Sequence, residues 1–168
     1  MTKRPIRSFA SALAVLLCAI LFAHAQTAPL TVYDDALAPG WADWSFATDR
    51  DLASTWTPHS GTKVIAVTSH AWGSLGLHTD PYDVSRFTTL TFWVNGGATG
   101  GQHLMVIFNG VKNTDKGYDI PVIHSGWGKV SVSLENTGVT DGKLTDIWLQ
   151  NRTNADAATY YVDDVQLH

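Results

Sequence analysis

An all-β domain, a sandwich or a barrel, is the fold class that residues 26–168 predict. Three observations carry it. Short runs of alternating apolar and polar residues recur at regular spacing. Clusters of Gly, Asn, Asp and Pro separate them. No stretch holds apolar residues at a helical period for three turns. About ten short strands result, which is the signature of sandwiches and barrels.

In chain order the expected strands are 30–33, 43–48, 63–68, 74–78, 89–95, 102–109, 118–123, 129–134, 145–150 and 160–167. Ala38-Pro39-Gly40, Asn95-Gly96-Gly97, Asn109-Gly110 and Asp141-Gly142 supply turns between them. Side chains alternate faces along a strand, so Leu90, Phe92 and Val94 share one side of 89–95. In 129–134 the outward set is Lys129, Ser131 and Ser133, an ordinary solvated face.

Ahead of these strands lies a secretory leader, residues 1–25. Lys3, Arg4 and Arg7 precede an apolar run, 9–22, that is too short for a stable membrane anchor. Ala23-His24-Ala25 then places small residues at the cleavage positions before Gln26. The single cysteine, Cys18, falls in this leader, so the expected secreted chain, one domain over 26–168, has no disulfide. Loss of the three basic leader residues takes the net charge from −4 to −7. An acidic domain without a basic patch argues against nucleic acid and anionic membranes as partners and is read as a monomer. Asn151-Arg152-Thr153 is an N-glycosylation sequon.

Three tryptophans break the alternation. Trp93 opposes Phe92 and Val94, Trp148 opposes Ile147 and Leu149, and Trp72 opposes the register of Leu75 and Leu77. Several large aromatics on a water-facing surface imply a partner. Flat, rigid rings suit the C–H faces of sugars and lose little entropy on binding. Trp93, Met105, Ile107 and Trp148 make one sheet aromatic outside, against the polar outer set of 129–134. Trp72, Trp93 and Trp148 are therefore the expected stacking platforms. Gln150, Asn109 and His78, in outward registers or at strand ends, are the expected hydroxyl partners. Trp41, Trp44 and Trp56 stand in reserve, with Trp44 sharing the parity of Phe46.

The closing strand Tyr160-Tyr161-Val162-Asp163-Asp164-Val165-Gln166-Leu167 resembles the last strand of jelly-roll carbohydrate-binding modules of the galactose-binding-like superfamily. Tyr33-Asp34-Asp35, Gly40-Trp41-Ala42-Asp43-Trp44-Ser45, the run from His59 to Val67 and Phe92-Trp93-Val94-Asn95-Gly96-Gly97 agree in order and spacing. The resemblance implies a two-sheet antiparallel jelly roll. It implies a polysaccharide or oligosaccharide ligand, like that of modules attached to secreted polysaccharide-degrading enzymes. It also implies a structural calcium between the first and last strands, with Asp34, Asp35 and Asp163 as ligands and Asp164 in reserve. Calcium takes several oxygens, which carboxylates and turn carbonyls provide.

Two other classes compete with a binding module. A copper-dependent oxidative enzyme would need His24 at the amino terminus and a second histidine among His59, His70, His78 and His124. Leu21 makes that cleavage the poorer one, and the histidines lack metal-motif spacing. A hydrolase would need facing carboxylates. Glu135 is the only glutamate, and no nucleophile elbow is present. The third class is an adhesion module that uses the same apolar face for a ligand other than sugar.

Overall fold

The computed structural model of the chain describes residues 28–135, 137–139 and 142–168. The expected leader, with Cys18 and His24, lies outside the described residues, as do Gln26 and Asp141. Among the described residues eleven strands follow in order: β1 (Leu30–Asp34), β2 (Ala36–Leu37), β3 (Trp41–Asp43), β4 (Phe46–Ser54), β5 (Val64–Asp83), β6 (Thr89–Asn95), β7 (Leu104–Phe108), β8 (Tyr118–Asp119), β9 (Trp127–Ser133), β10 (Lys143–Asn151) and β11 (Tyr160–Leu167). A 3₁₀ turn, Gly110–Lys116, separates β7 from β8. No helix among the described residues is long and apolar enough to cross a membrane.

The strands make two layers joined through β5. Its first half pairs with β4 and β11, and β11 continues to β6 and then β9. Its second half pairs with β3 and β10, and β10 continues to β7 and then β8. β1 lies along the end of β11, antiparallel like the other pairs. Ile65, Phe92, Val94, Val130 and Val162 of the first layer meet Leu75, Leu77, Val106, Ile147 and Leu149 of the second in one core. Full burial of each such side chain stabilises the fold by about 1.5–3 kcal/mol.

The chain crosses between layers at Trp72-Gly73. Trp72 has φ 60°, a left-handed conformation that a bulky residue adopts only under strain. A Cβ at Gly73 would run into the Ala47 carbonyl. The two strands expected at 63–68 and 74–78 are therefore halves of one bent strand. The one expected at 43–48 is split into β3 and β4, and β4 runs on to Ser54. Asn109-Gly110 opens the 3₁₀ turn instead of closing a hairpin.

Two parity arguments are corrected. β11 bulges between Asp163 and Gln166, where Asp164 takes φ 49°. The extra residue resets the alternation. Val162, Val165 and Leu167 enter the core, while Asp163 turns to the other face beside Trp93. The expectation that Asp163 looks inward with Val165 and Leu167 fails for that reason. Trp93 pairs directly with Lys129 in the first layer, whereas Trp148 belongs to the second. The aromatic and polar outer sets are therefore not separated by sheet.

Candidate functional site

The outer face of the second layer is built on the alternation of β10. Ile147 and Leu149 go to the core, leaving Asp146, Trp148 and Gln150 outside. The antiparallel register sets these against His78, Gly76 and Ser74 of β5. Gly76 matters because it is bare. A Cβ there would lie 2.8 Å from the Trp44 carbonyl oxygen, so glycine lets the segment after β3 close over the sheet. The Trp44 amide donates to the Gly76 carbonyl at 2.9 Å.

That closure lays the Trp44 ring flat on His78, with centroids 3.3 Å apart and planes 4° from parallel. Trp44 nevertheless remains 60% exposed, because only one of its faces is covered. Next to it, exposed Phe46 meets Trp148 edge to face at 5.2 Å. Farther along, Trp72 is 49% exposed. Its amide donates to the Thr153 carbonyl, and its own carbonyl accepts from Gln150 Nε2 at 3.1 Å. The Arg152 guanidinium sits 5.9 Å from the Trp72 ring centre and donates to Gln150 Oε1.

Polar groups are threaded between the rings. His78 Nδ1 and Asp146 Oδ1 are 2.8 Å apart, and Asp146 Oδ2 accepts from the Thr145 hydroxyl at 2.6 Å. A pair bonded in this way fixes the imidazole plane beneath the Trp44 ring.

Four of the expected residues thus meet on one surface: Trp72, Trp148, Gln150 and His78. Two do not. Trp93 lies on the opposite layer, half-buried under the His59 ring at 3.8 Å. Asn109 is committed to the backbone, since its Nδ2 donates to the Lys143 carbonyl and its Oδ1 accepts from the Thr145 amide, both at 2.9 Å. Met105 and Ile107 point outward in register but are buried, with Gly117 lying against both. Sequence reasoning missed Asp146, Phe46 and Arg152. Asp146 shares the parity of Trp148 and Gln150, and that signal could have found it.

The three aspartates expected to hold calcium do not come together as one side-chain cluster among the described residues. Asp34 is exposed on the turn into β2. Asp35 Oδ1 accepts the Thr62 and Lys63 amides at 2.6 Å each, and those bonds hold its carboxyl below the ordinary aspartate value. Asp163 Oδ2 accepts the His59 and Ser60 amides, and its Oδ1 accepts the Asp164 amide. Burial pushes the Asp163 carboxyl up against those three bonds. Both carboxylates are engaged in holding the 59–63 loop. Among the described residues no three metal-ligating side chains converge. The histidines are dispersed as well: His59 bonds Asp164 at 2.7 Å, and His70 lies between Asp49 and Asp156.

A cavity of about 270 Å³ lies away from the aromatic face, between β9 and the 118–126 segment. The aromatic face is an open surface of rings, suited to an extended ligand.

No family model matches the chain. A Dictyostelium discoideum protein named endoglucanase is 27% identical over 147 residues, covering 81% of this chain. The chain spans 20% of that relative's length. Among solved structures, the family 11 carbohydrate-binding module of Clostridium thermocellum, in complex with a β-1,3-1,4-mixed-linked tetrasaccharide, superposes with a TM-score of 0.58. Its identity is 13%, over 83% of this chain and 94% of that one. A family 29 carbohydrate-binding module mutant complexed with mannohexaose gives a TM-score of 0.57 at 10% identity, over 83% and 90% of the two chains. These likenesses, together with the two-layer antiparallel topology, establish the fold: the chain is an all-β jelly-roll sandwich of the kind seen in carbohydrate-binding modules.

Proposed function

We propose that this is a secreted, non-catalytic domain that binds polysaccharide along the outer face of β3, β5 and β10. The observation that carries the reading is Trp44, held flat on His78 with its other face open, on the surface that also presents Trp72 and Trp148. Sugar rings offer apolar C–H faces to such platforms, and His78, Asp146, Gln150 and Arg152 supply donors and acceptors for the hydroxyls between them. A β-linked glucan or a mannan is the ligand class, supported by the oligosaccharides held by the structural neighbours. Secretion rests on the basic and apolar pattern of residues 1–25.

The placement of Asp146 supports binding rather than hydrolysis at this face. Glycoside hydrolysis uses a protonated acid facing a second carboxylate. Asp146 is instead tied to His78 and Thr145, in a role that orients hydrogen bonds.

Affinity electrophoresis in gels containing soluble β-glucan or mannan tests the reading. The wild type is retarded, and Trp44→Ala, with its circular dichroism unchanged, weakens binding about tenfold, the worth of one aromatic contact of roughly 1–2 kcal/mol. A Trp44→Ala protein that is retarded like the wild type would remove this face from consideration.

A further inference from the structure

The outer face of the first layer carries a second exposed tryptophan built in the same way. Trp56, in the loop between β4 and β5, lies parallel on Tyr161, with centroids 3.8 Å apart and planes 9° from parallel. Tyr161 points away from the core because its neighbours Tyr160 and Val162 point into it. Trp56 keeps 40% of its surface exposed, so one ring face is covered and the other is open. This repeats the arrangement of Trp44 on His78.

Anchoring the loop does not require that ring. Asp163 takes the His59 and Ser60 amides, Asp35 takes those of Thr62 and Lys63, and Trp127 Nε1 donates to the Thr57 carbonyl at 3.2 Å. A ring serving only to close the loop would be buried between loop and sheet. Trp56 is instead held rigid by its neighbours and presented to solvent, so little freedom is lost when a ligand covers it. Beside Tyr161, the Thr68 and Thr159 hydroxyls form an exposed pair 2.7 Å apart. An apolar plate flanked by hydroxyls is the chemistry that recognises a pyranose ring.

We infer that Trp56 on Tyr161 is a second sugar-binding platform, and that one molecule of this protein bridges two polysaccharide chains. The inference rests on the carbohydrate-binding reading of the first face. The two platforms look out from opposite sides of a sandwich whose layers are about 10 Å apart. A stiff glycan segment lying on one platform therefore cannot reach the other, and two chains are required.

The test is calorimetric titration of the secreted chain with a hexasaccharide of the polysaccharide that retards it, together with turbidity of the protein mixed with the polymer. Two oligosaccharides bind per molecule, and the polymer mixture becomes turbid. Trp56→Ala brings the stoichiometry to one and abolishes turbidity, while Trp44→Ala leaves the Trp56 platform as the single remaining site. Should Trp56→Ala lower the melting temperature, Trp56→Leu fills the space over Tyr161 without a flat ring and must also lose the second site. Trp56→Tyr restores it in part. One oligosaccharide per molecule, lost in Trp44→Ala and unchanged in Trp56→Ala and Trp56→Leu, overturns the second platform and leaves the first standing. Absence of any binding by the wild type overturns both.

Discussion

Trp44 owes its place on the binding face to its neighbours, not to strand parity. It follows β3 in an irregular segment, and the missing side chain of Gly76 and the flat top of His78 set its ring. Asn151 works in the opposite sense. It begins a glycosylation sequon yet is 1% exposed. Its Nδ2 donates to the His70 and Ala155 carbonyls at 3.0 and 2.7 Å, and its Oδ1 accepts from the Thr153 amide and hydroxyl. A sugar-transferring enzyme acting on the folded protein needs that nitrogen free. The folded protein should therefore resist glycan transfer to Asn151 in vitro, whereas the denatured chain accepts it; transfer to the folded protein would contradict the burial of Asn151. Asn151→Ala should lower stability by about 1–3 kcal/mol, the cost of leaving buried carbonyls without donors, as read from denaturant midpoints.

The loop between β4 and β5 is held by two carboxylates. Asp35 and Asp163 grip neighbouring amides of the same loop but titrate in opposite directions. The Asp35 value is lowered in the folded state, so the stability it contributes is complete above the ordinary value of 3.8 and is lost as pH falls through its depressed value. The Asp163 value is raised, so its ionisation opposes folding. Its contribution is best at low pH and declines as pH rises through the raised value. Asp35→Asn should accordingly flatten the acid limb of a stability profile recorded by circular dichroism. An unchanged acid limb would show that the loop does not depend on that carboxylate. Because both carboxylates are engaged with amides, melting in calcium and in chelator should coincide. A calcium-dependent rise in melting temperature would mean that the loop rearranges to release them, as the resemblance to calcium-holding modules implies.

At the level of the whole sandwich, the core and the outer faces are separable. Leu77 lies on the inner face of the layer whose outer face carries His78 and Trp44. Leu77→Ala should cost about 2–5 kcal/mol by leaving a cavity, seen as a lower denaturant midpoint. The folded fraction should still bind polysaccharide with an affinity near that of the wild type. A variant that is stable yet fails to bind would mean that the face is coupled to the core more tightly than two packed layers allow.

Period-two alternation, a local property of the chain, made the all-β class and the two cleanest strands readable. β6 and β11 fall at the expected bounds, 89–95 and 160–167, although the alternation within β11 is broken by its bulge. The same alternation within β10 marked Trp148 and Gln150 as outward. It could not say which strands share a sheet, because pairing is set by contacts between residues far apart in sequence. Trp93 and Trp148 read alike, yet the jelly-roll path puts them on opposite sides. Parity also fails wherever the backbone adds a residue or leaves the extended region, as at Asp164 and Trp72, since one left-handed residue inverts every assignment beyond it. The parity that set Asp163 with Val165 and Leu167 would also turn Tyr161 inward; the bulge in β11 leaves it outward, and only the folded loop shows Trp56 lying on it. Strand content was therefore decided by side-chain pattern along the chain, whereas the makeup of each binding face was decided by loop closure and layer assignment, which exist only once distant strands have packed.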